Sequence, residues 1–235
     1  MRINQFLARS GVCSRRGADK LIEEGVVVVN GVLAAPGLNV GEEDIVEVNG
    51  KRVFLPKESI VLAYYKPVGV TCSEKDDHAT RLVVDEVKCD RRITYAGRLD
   101  RDSEGLLLLT DDGELINSMM KGSNKHEKEY VVTVNKTISD SQIEKMAAGI
   151  YLKELDRRTR PCKITKISDK SFNIILTQGL NRQIRRMCKA VGLEVVSLKR
   201  TRVMNISLEN LQVGASRELS YDEKNELYML CGLHK

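Results

Sequence analysis

The sequence has no long hydrophobic run, no paired-cysteine motif, few histidines and only a slight excess of positive charge. Each shortage removes a class of function. The longest apolar runs are Val26-Val27-Val28-Val29 and Leu106-Leu107-Leu108-Leu109, far short of the ~20 residues that a membrane span needs. Met1-Arg2-Ile3-Asn4-Gln5 carries no apolar stretch of the kind a secretory leader uses. A cytoplasmic protein without membrane attachment is therefore expected. Cys13, Cys72, Cys89, Cys162, Cys188 and Cys231 are scattered, with no C-x-x-C pair. Zinc sites want clustered ligands, and disulfide frameworks suit small secreted chains, so reduced thiols are expected. The only histidines are His78, His126 and His234, so no metal is expected. Glycine-rich phosphate loops and internal repeats are also missing.

What is present is enough for a core and for a polyanion. Hydrophobic residues make up 42% of 235 residues, which suits one large domain or two small ones. The net charge of +5 is mild, but its distribution is not. Between Gln178 and Val203 lie seven cations (Arg182, Arg185, Arg186, Lys189, Lys199, Arg200, Arg202) and a single acid, Glu194. The first twenty residues hold five cations (Arg2, Arg9, Arg15, Arg16, Lys20) against Asp19. Two basic patches far apart in sequence suggest a polyanion gripped at two places.

Residues 1–50 pattern as one compact unit. Ile3, Phe6 and Leu7 are spaced for one face of a short helix, with Gly11 placed to end it. Ser14 is the expected N-cap of a second helix through Glu24, with Ala18, Leu21 and Ile22 inward and Gly25 closing it. Residues 26–29 read as a strand before the tight-turn pair Asn30-Gly31, and residues 44–48 as another before Asn49-Gly50. Arg15 and Arg16 fall in the first turn of the second helix, where the dipole disfavours each cation by ~0.3–1 kcal/mol. Two solvated arginines could simply bear that penalty. Alternatively, a phosphate completes the site with helix amides and both guanidinium groups. Arg2, Arg9 and Lys20, close in sequence, favour the phosphate.

The residues Arg2-Ile3-Asn4-Gln5-Phe6-Leu7-Ala8, Ser14-Arg15-Arg16, Ala18-Asp19, Leu21-Ile22, Gly25 and Val28-Val29-Asn30-Gly31 resemble a known pattern. It is that of the small alpha-L type RNA-binding domain named after the fourth small-subunit ribosomal protein. Gly17 stands where an acidic residue is common. The resemblance implies RNA binding without naming a reaction.

Residues 51–59 are polar, contain Pro56, and are expected to link this unit to a second domain at 60–235. There, strand-like runs at 61–65, 93–96, 106–110, 129–134, 162–167, 172–177 and 194–202 are interspersed with helical patterns at 82–87, 114–120, 140–148, 182–191 and 222–230. That order is α+β rather than strict βαβ alternation.

The densest polar stretch is Gly97-Arg98-Leu99-Asp100-Arg101-Asp102-Ser103-Glu104-Gly105. Its opening imitates a calcium-binding EF-hand loop, but four leucines occupy the second half, where ligands would be needed. Taken alone, a solvated turn with self-neutralising charges is the ordinary alternative. The stretch does not stand alone. Together with Leu106-Leu107-Leu108-Leu109-Thr110 and Gly113 it resembles the signature of the bacterial ribosomal small- and large-subunit pseudouridine synthases. Tyr65-Lys66-Pro67-Val68-Gly69 is similar to that family's K-P-x-G element, with Tyr65 where asparagine is common. Glu127-Lys128-Glu129-Tyr130 is similar to its tyrosine element. Gln178-Gly179-Leu180-Asn181-Arg182-Gln183-Ile184-Arg185-Arg186-Met187 is similar to its C-terminal arginine element. Residues 126–130 and 179–183 look nearest to the large-subunit branch called synthase F.

The resemblance implies a catalytic domain with a central, mainly antiparallel mixed sheet flanked by helices. It implies isomerisation of a uridine in structured RNA, foremost 23S ribosomal RNA, with a transfer RNA stem-loop as second substrate. No redox step occurs in that reaction, so no cofactor is required. Asp100 is implied as the catalytic carboxylate, Tyr130 as the residue against the flipped base, and Arg185 as the ion-pair partner of Asp100. Arg98 belongs to the same site. Leu99 and Ile184 either wall the uracil pocket or belong to the core. Lys66 and Pro67 would shape the site floor, and Lys66 also counts among the RNA-contacting cations. Arg182, Arg186, Lys189, Lys199, Arg200 and Arg202 remain for phosphates. A helical wheel agrees in part: Leu180, Ile184, Met187, Cys188 and Val191 share one side, and Arg185 is the cation nearest its edge. A non-catalytic RNA-binding assembly factor is the rival from another class. A monomer is expected.

Overall fold

The computed structural model describes residues 1–41, 43–73 and 80–233. His78 and His234 lie outside the described residues. The chain forms two compact units, Met1–Ile60 with Lys88–Thr94 and Thr110–Gly113, and the remainder.

The first unit begins with α1 (Ile3–Arg9) and α2 (Arg15–Glu23). Ser14 caps α2, its hydroxyl accepting from the Gly17 amide at 3.1 Å. Gly11 and Gly25 follow the two helices with φ of +85° and +69°, a conformation that ends a helix at little cost only for glycine. A four-stranded antiparallel sheet follows, built from β1 (Val27–Val29), β2 (Val32–Leu33), β3 (Val46–Val48) and β4 (Lys51–Val53). Asn30-Gly31 and Asn49-Gly50 make the turns, all four residues at positive φ. Ile3, Phe6, Leu7, Ala18, Ile22 and the inward valines of β1 and β3 fill one core. The expected linker therefore begins as a strand: Lys51–Val53 completes the second hairpin, and irregular chain starts only after it.

The second unit is built on a mixed sheet. Its elements are β5 (Val61–Lys66), α3 (Val83–Glu86), β6 (Thr94–Tyr95), β7 (Glu104–Thr110), α4 (Gly113–Met120), β8 (Lys128–Val134), α5 (Asp140–Ala147), β9 (Tyr151–Leu152), β10 (Arg157–Arg158), β11 (Lys163–Ser168), β12 (Ser171–Leu176), α6 (Gln183–Ala190), β13 (Val195–Val203), β14 (Ile206–Ser207), β15 (Ser216–Glu218) and α7 (Tyr221–Leu230). The strand order is β11-β12-β8-β13-β7-β5-β15, with β14 on β13 and β6 on β7. The β13–β7 pair is parallel, whereas β11–β12, β12–β8, β13–β8 and β15–β5 are antiparallel. The mainly antiparallel mixed sheet flanked by helices is thus as expected. The short strands β9, β10, β14 and β15 were not legible from the pattern.

Two clusters of buried residues bracket the centre of this sheet. One gathers Leu106, Leu108, Leu115, Ile206 and Leu227 around β7 and α7. The other gathers Val132, Phe172, Ile174, Ile184, Met187 and Cys188 around β8, β12 and α6. Leu106 to Leu109 are all fully buried, so β7 is covered on both faces and reads as a continuous apolar run rather than an alternating one. Among the described residues, no helix is long and apolar enough to cross a membrane.

Candidate active site

Residues 97–103 form the loop that feeds β7, and each end is held. Gly97 takes a φ of +90° next to the Met120 sulfur. Gly105 takes +111°, and a Cβ there would lie 2.2 Å from the Arg200 carbonyl oxygen. Only glycine lets β7 and β13 approach that closely. Between them, the Gly69 amide donates to the Arg101 carbonyl at 2.7 Å, and the Ser103 amide donates to the Asp100 carbonyl at 3.1 Å.

Lys66, at the end of β5, is fully buried at 0% exposure. Its ammonium donates to the carbonyls of Pro67 at 2.9 Å and Ser103 at 2.8 Å. Burial pushes its pKa down. Lys66 therefore ties the loop to the floor and cannot reach a phosphate, which corrects its placement among the RNA-contacting cations. Arg200 is corrected for the same reason. It is 2% exposed and donates to the Leu106 carbonyl at 2.6 Å and to the Arg98 carbonyl at 3.5 Å.

Asp100 stands where the loop opens, its side chain 34% exposed. Its ion-pair partner is Arg182, at 3.4 Å, rather than the expected Arg185. Arg182 also grips Asp102 with both terminal nitrogens, at 3.2 and 2.7 Å. Arg185, only 16% exposed, reaches inward as expected but meets Asp102: its Nη2 lies 3.3 Å from the carboxylate and donates to the Asp102 carbonyl at 2.8 Å. It also donates to the Ser103 hydroxyl at 3.4 Å and the Val195 carbonyl at 3.3 Å. Burial alone would raise the Asp102 pKa, but Arg182 and Arg185 together hold it below the ordinary carboxylate value. Arg182 is 41% exposed, so the pair adds only ~0.2–1 kcal/mol of stability. Its consequence is orientation of two carboxylates at one loop tip.

The reason for the exchange of arginines is local. Arg182 sits at the N-cap of α6 with φ +49°, outside the helix, so a helical wheel does not describe where its side chain goes. Asp102 and buried Ser103 were not singled out from sequence, although both lie in the signature stretch. Their signal was the need for a second acid once two arginines converge on one loop.

Tyr130 lies on β8 opposite Arg200 of β13, which in turn lies opposite Gly105 of β7. Two strand spacings, about 10 Å, separate Tyr130 from Gly105 across the sheet. Tyr130 is half-buried and packs against the cluster that contains Ile184. Leu99 and Ile184 are buried at 7% and 5% exposure, while Arg98 is exposed.

The remaining cations divide. Arg202 is bound by Glu129 at 2.7 Å and Glu127 at 2.9 Å, and donates to the Met204 carbonyl. Lys199 stands 5.0 Å over the Tyr65 ring, whose hydroxyl donates to Glu104 at 3.0 Å. Arg186 pairs with Glu154 and donates to the Asn181 carbonyl at 3.1 Å. Lys189, 78% exposed, touches the same glutamate at 3.4 Å. In the first unit, Arg2, Arg15, Arg16 and Lys20 are exposed, Arg9 is partly buried, and none of the five makes an ion pair among the described residues.

A family model described as RNA pseudouridylate synthase matches residues 60–190, more than half of the chain, and one described as S4 domain matches residues 1–46. The chain belongs to the RNA pseudouridylate synthase family. The synthase is 45% identical to the dual-specificity RNA pseudouridine synthase RluF of Salmonella typhi, across 97% of its own length and 79% of the relative's. It is 39% identical to the ribosomal large subunit pseudouridine synthase B of Bacillus subtilis (strain 168), across 97% and 96%. A crystal structure of a pseudouridylate synthase matches it with a TM-score of 0.71 and 28% identity, across 97% of this chain and 99% of the other. The likeness to the synthase F branch agrees with these relatives. The synthase is an RNA-modifying isomerase with an S4 domain at its N-terminal end, so a binding-only assembly factor is not favoured.

Proposed function

We propose that the synthase converts one specific uridine of large-subunit (23S) ribosomal RNA to pseudouridine, with Asp100 as the catalytic carboxylate. The observation that carries this is the placement of Asp100. It is a partly exposed carboxylate at the mouth of a loop whose other members are tied down by Lys66, Arg182, Arg185 and the close approach at Gly105. Such fixation is what a group acting on a sugar needs, since misplacement by even 1 Å is costly.

The bond from ribose C1′ to uracil N1 breaks, the base turns, and a bond from C1′ to C5 forms. The C5 proton leaves and N1 gains one, so atoms and electrons balance. Asp100 acts on the sugar, at C1′ or at the neighbouring C–H. Tyr130 lies against the flipped base, with Leu99 and Ile184 as apolar neighbours and Arg98 at the exposed edge. Arg182 orients Asp100, and Arg185 positions it through Asp102 and Ser103. The first unit, ending in the connection 51–59, holds RNA through Arg2, Arg9, Arg15, Arg16 and Lys20. The synthase acts as a monomer.

A second RNA substrate is supported by the relative named as dual-specificity, and a transfer RNA stem-loop, read by shape and splayed bases, fits that role. Mapping pseudouridine in total RNA with and without the gene tests the substrate. Loss of one ribosomal site supports the first reading, loss of a transfer RNA site the second, and loss of none refutes both.

A further inference from the structure

A recess of about 640 Å³ opens in the second unit between α5, the β9–β10 ribbon and α6, and neither Asp100 nor Tyr130 lines it. Its cations are Lys145, Lys153, Arg158, Arg186 and Lys189, against the single acid Glu154. Glu154 is taken up by Arg186 and Lys189. Lys145, Lys153 and Arg158 are exposed and make no ion pair among the described residues. The wall is apolar where these cations are not, formed by Ala148, Ile150, Leu152 and Ala190. Tyr151, 51% exposed, stands directly across the ribbon from Arg158. Its hydroxyl donates to Asp156, which fixes the ring.

The floor is rigid. Gly149 has φ +88°, and a Cβ there would lie 2.5 Å from the Thr159 carbonyl oxygen. The Ile150 amide donates to the Thr159 hydroxyl at 2.9 Å, and the Thr159 amide to the Ile150 carbonyl at 2.8 Å. An exposed, oriented aromatic ring beside unpaired cations and an apolar wall is the composition of a single-strand platform: the ring stacks a base and the cations track the backbone.

We propose that this recess binds a single-stranded RNA segment flanking the target uridine, with Tyr151 stacking a base and Lys145, Lys153 and Arg158 holding phosphates. This rests on the reading of Asp100 as the reacting centre. Helix α6 connects the two places, because Arg182 pairs with Asp100 at its start and Lys189 reaches the recess near its end. From Gln183, where the helix begins, to Lys189 is six residues, about 9 Å, so the bound segment lies beside the target rather than on it.

The test uses the full chain and two probes, a short oligouridylate and a blunt RNA hairpin, with binding measured across salt concentrations. For the triple variant Lys145→Ala, Lys153→Ala, Arg158→Ala, the salt slope on oligouridylate should fall by about 2, at ~0.7 for each single-strand phosphate that is no longer neutralised. Tyr151→Ala should weaken oligouridylate binding about five- to hundredfold, whereas Tyr151→Phe retains it. Binding of the blunt hairpin should change far less. Unaltered melting temperatures show that the variants fold. If the triple variant keeps the wild-type affinity and slope, or Tyr151→Ala keeps the wild-type affinity, the recess does not bind RNA. Pseudouridine formation by the wild type is scored separately on cellular RNA, so failure of the recess and failure of the Asp100 reading are distinguishable.

Discussion

The arginines of the first unit and those of residues 182–202 carry the same charge and do different work. Arg2, Arg15 and Arg16 are exposed and unpaired among the described residues. Arg182, Arg185, Arg200 and Arg202 are spent on carboxylates and carbonyls of the protein itself. The second group looked like the stronger basic patch in sequence. In the structure much of that charge fixes the loop around Asp100 and the edge of β13. Density of cations along a chain therefore does not measure how many phosphates it can hold. What decides is whether acids or carbonyls from other segments reach those cations first.

The comparison can be broken in several places. The largest effect is expected from Asp100→Asn, which should lower pseudouridine formation by roughly 10⁴-fold or more while RNA affinity stays within a few-fold. A variant retaining full turnover would remove Asp100 from the chemistry. Arg182→Gln should lower turnover by ~10–100-fold, the range set by a charge-assisted hydrogen bond. The loss should appear in kcat more than in KM. Should Arg185→Gln lower turnover more than Arg182→Gln, the ion pair described here would not be the one that operates. Arg200→Ala leaves the Leu106 carbonyl without its donor and should cost ~1–3 kcal/mol of stability, read as a lower melting temperature. By contrast, Arg15→Ala with Arg16→Ala should hold or slightly raise the melting temperature, because the helix dipole disfavours both cations, and reduce the salt slope of RNA binding by ~0.7–0.9 for each phosphate released. An unchanged slope would mean that the exposed arginines are merely solvated.

The smallest effect concerns acid stability. Arg217 binds Glu223 through both terminal nitrogens at 2.7 Å, lowering the glutamate pKa to about 2. A depressed carboxylate stabilises the fold above its unfolded pKa of about 4.3 and loses that contribution as pH falls through the folded value. Arg217→Ala should therefore flatten the decline in stability between pH ~4.5 and ~2. An identical acid limb would show that solvent screening cancels the pair.

Where local chemistry decides, the fold was legible. Ser14 accepts from the Gly17 amide as a cap, and Asn30-Gly31 turns as its composition demands. Buried Ile184, Met187 and Cys188 follow the helical period. What was not legible depends on partners distant in sequence. Glu154 lies 35 residues from Lys189 and neutralises part of a face that has no acid of its own. Lys66 can be buried because the Ser103 carbonyl, 37 residues away, accepts a hydrogen bond from its ammonium. Short strands such as β9 and β15 hold too few residues for a period to show. At the candidate site, the loop and its acids were visible, but which arginine meets which acid was set by the left-handed backbone of Arg182.

The close approach at Gly105 gives the loop a fixed length. With no room for a Cβ against Arg200, β7 is clamped at that residue in register with β13, and β13 is in register with Tyr130. The interval from Asp100 to Gly105 thus acts as a ruler measured from a hard stop. Within it, Asp102 and Ser103 take the arginines that steady the loop, while the count of residues sets how far the carboxylate reaches. Adding or removing a single residue would carry Asp100 off its mark while leaving every strand in place.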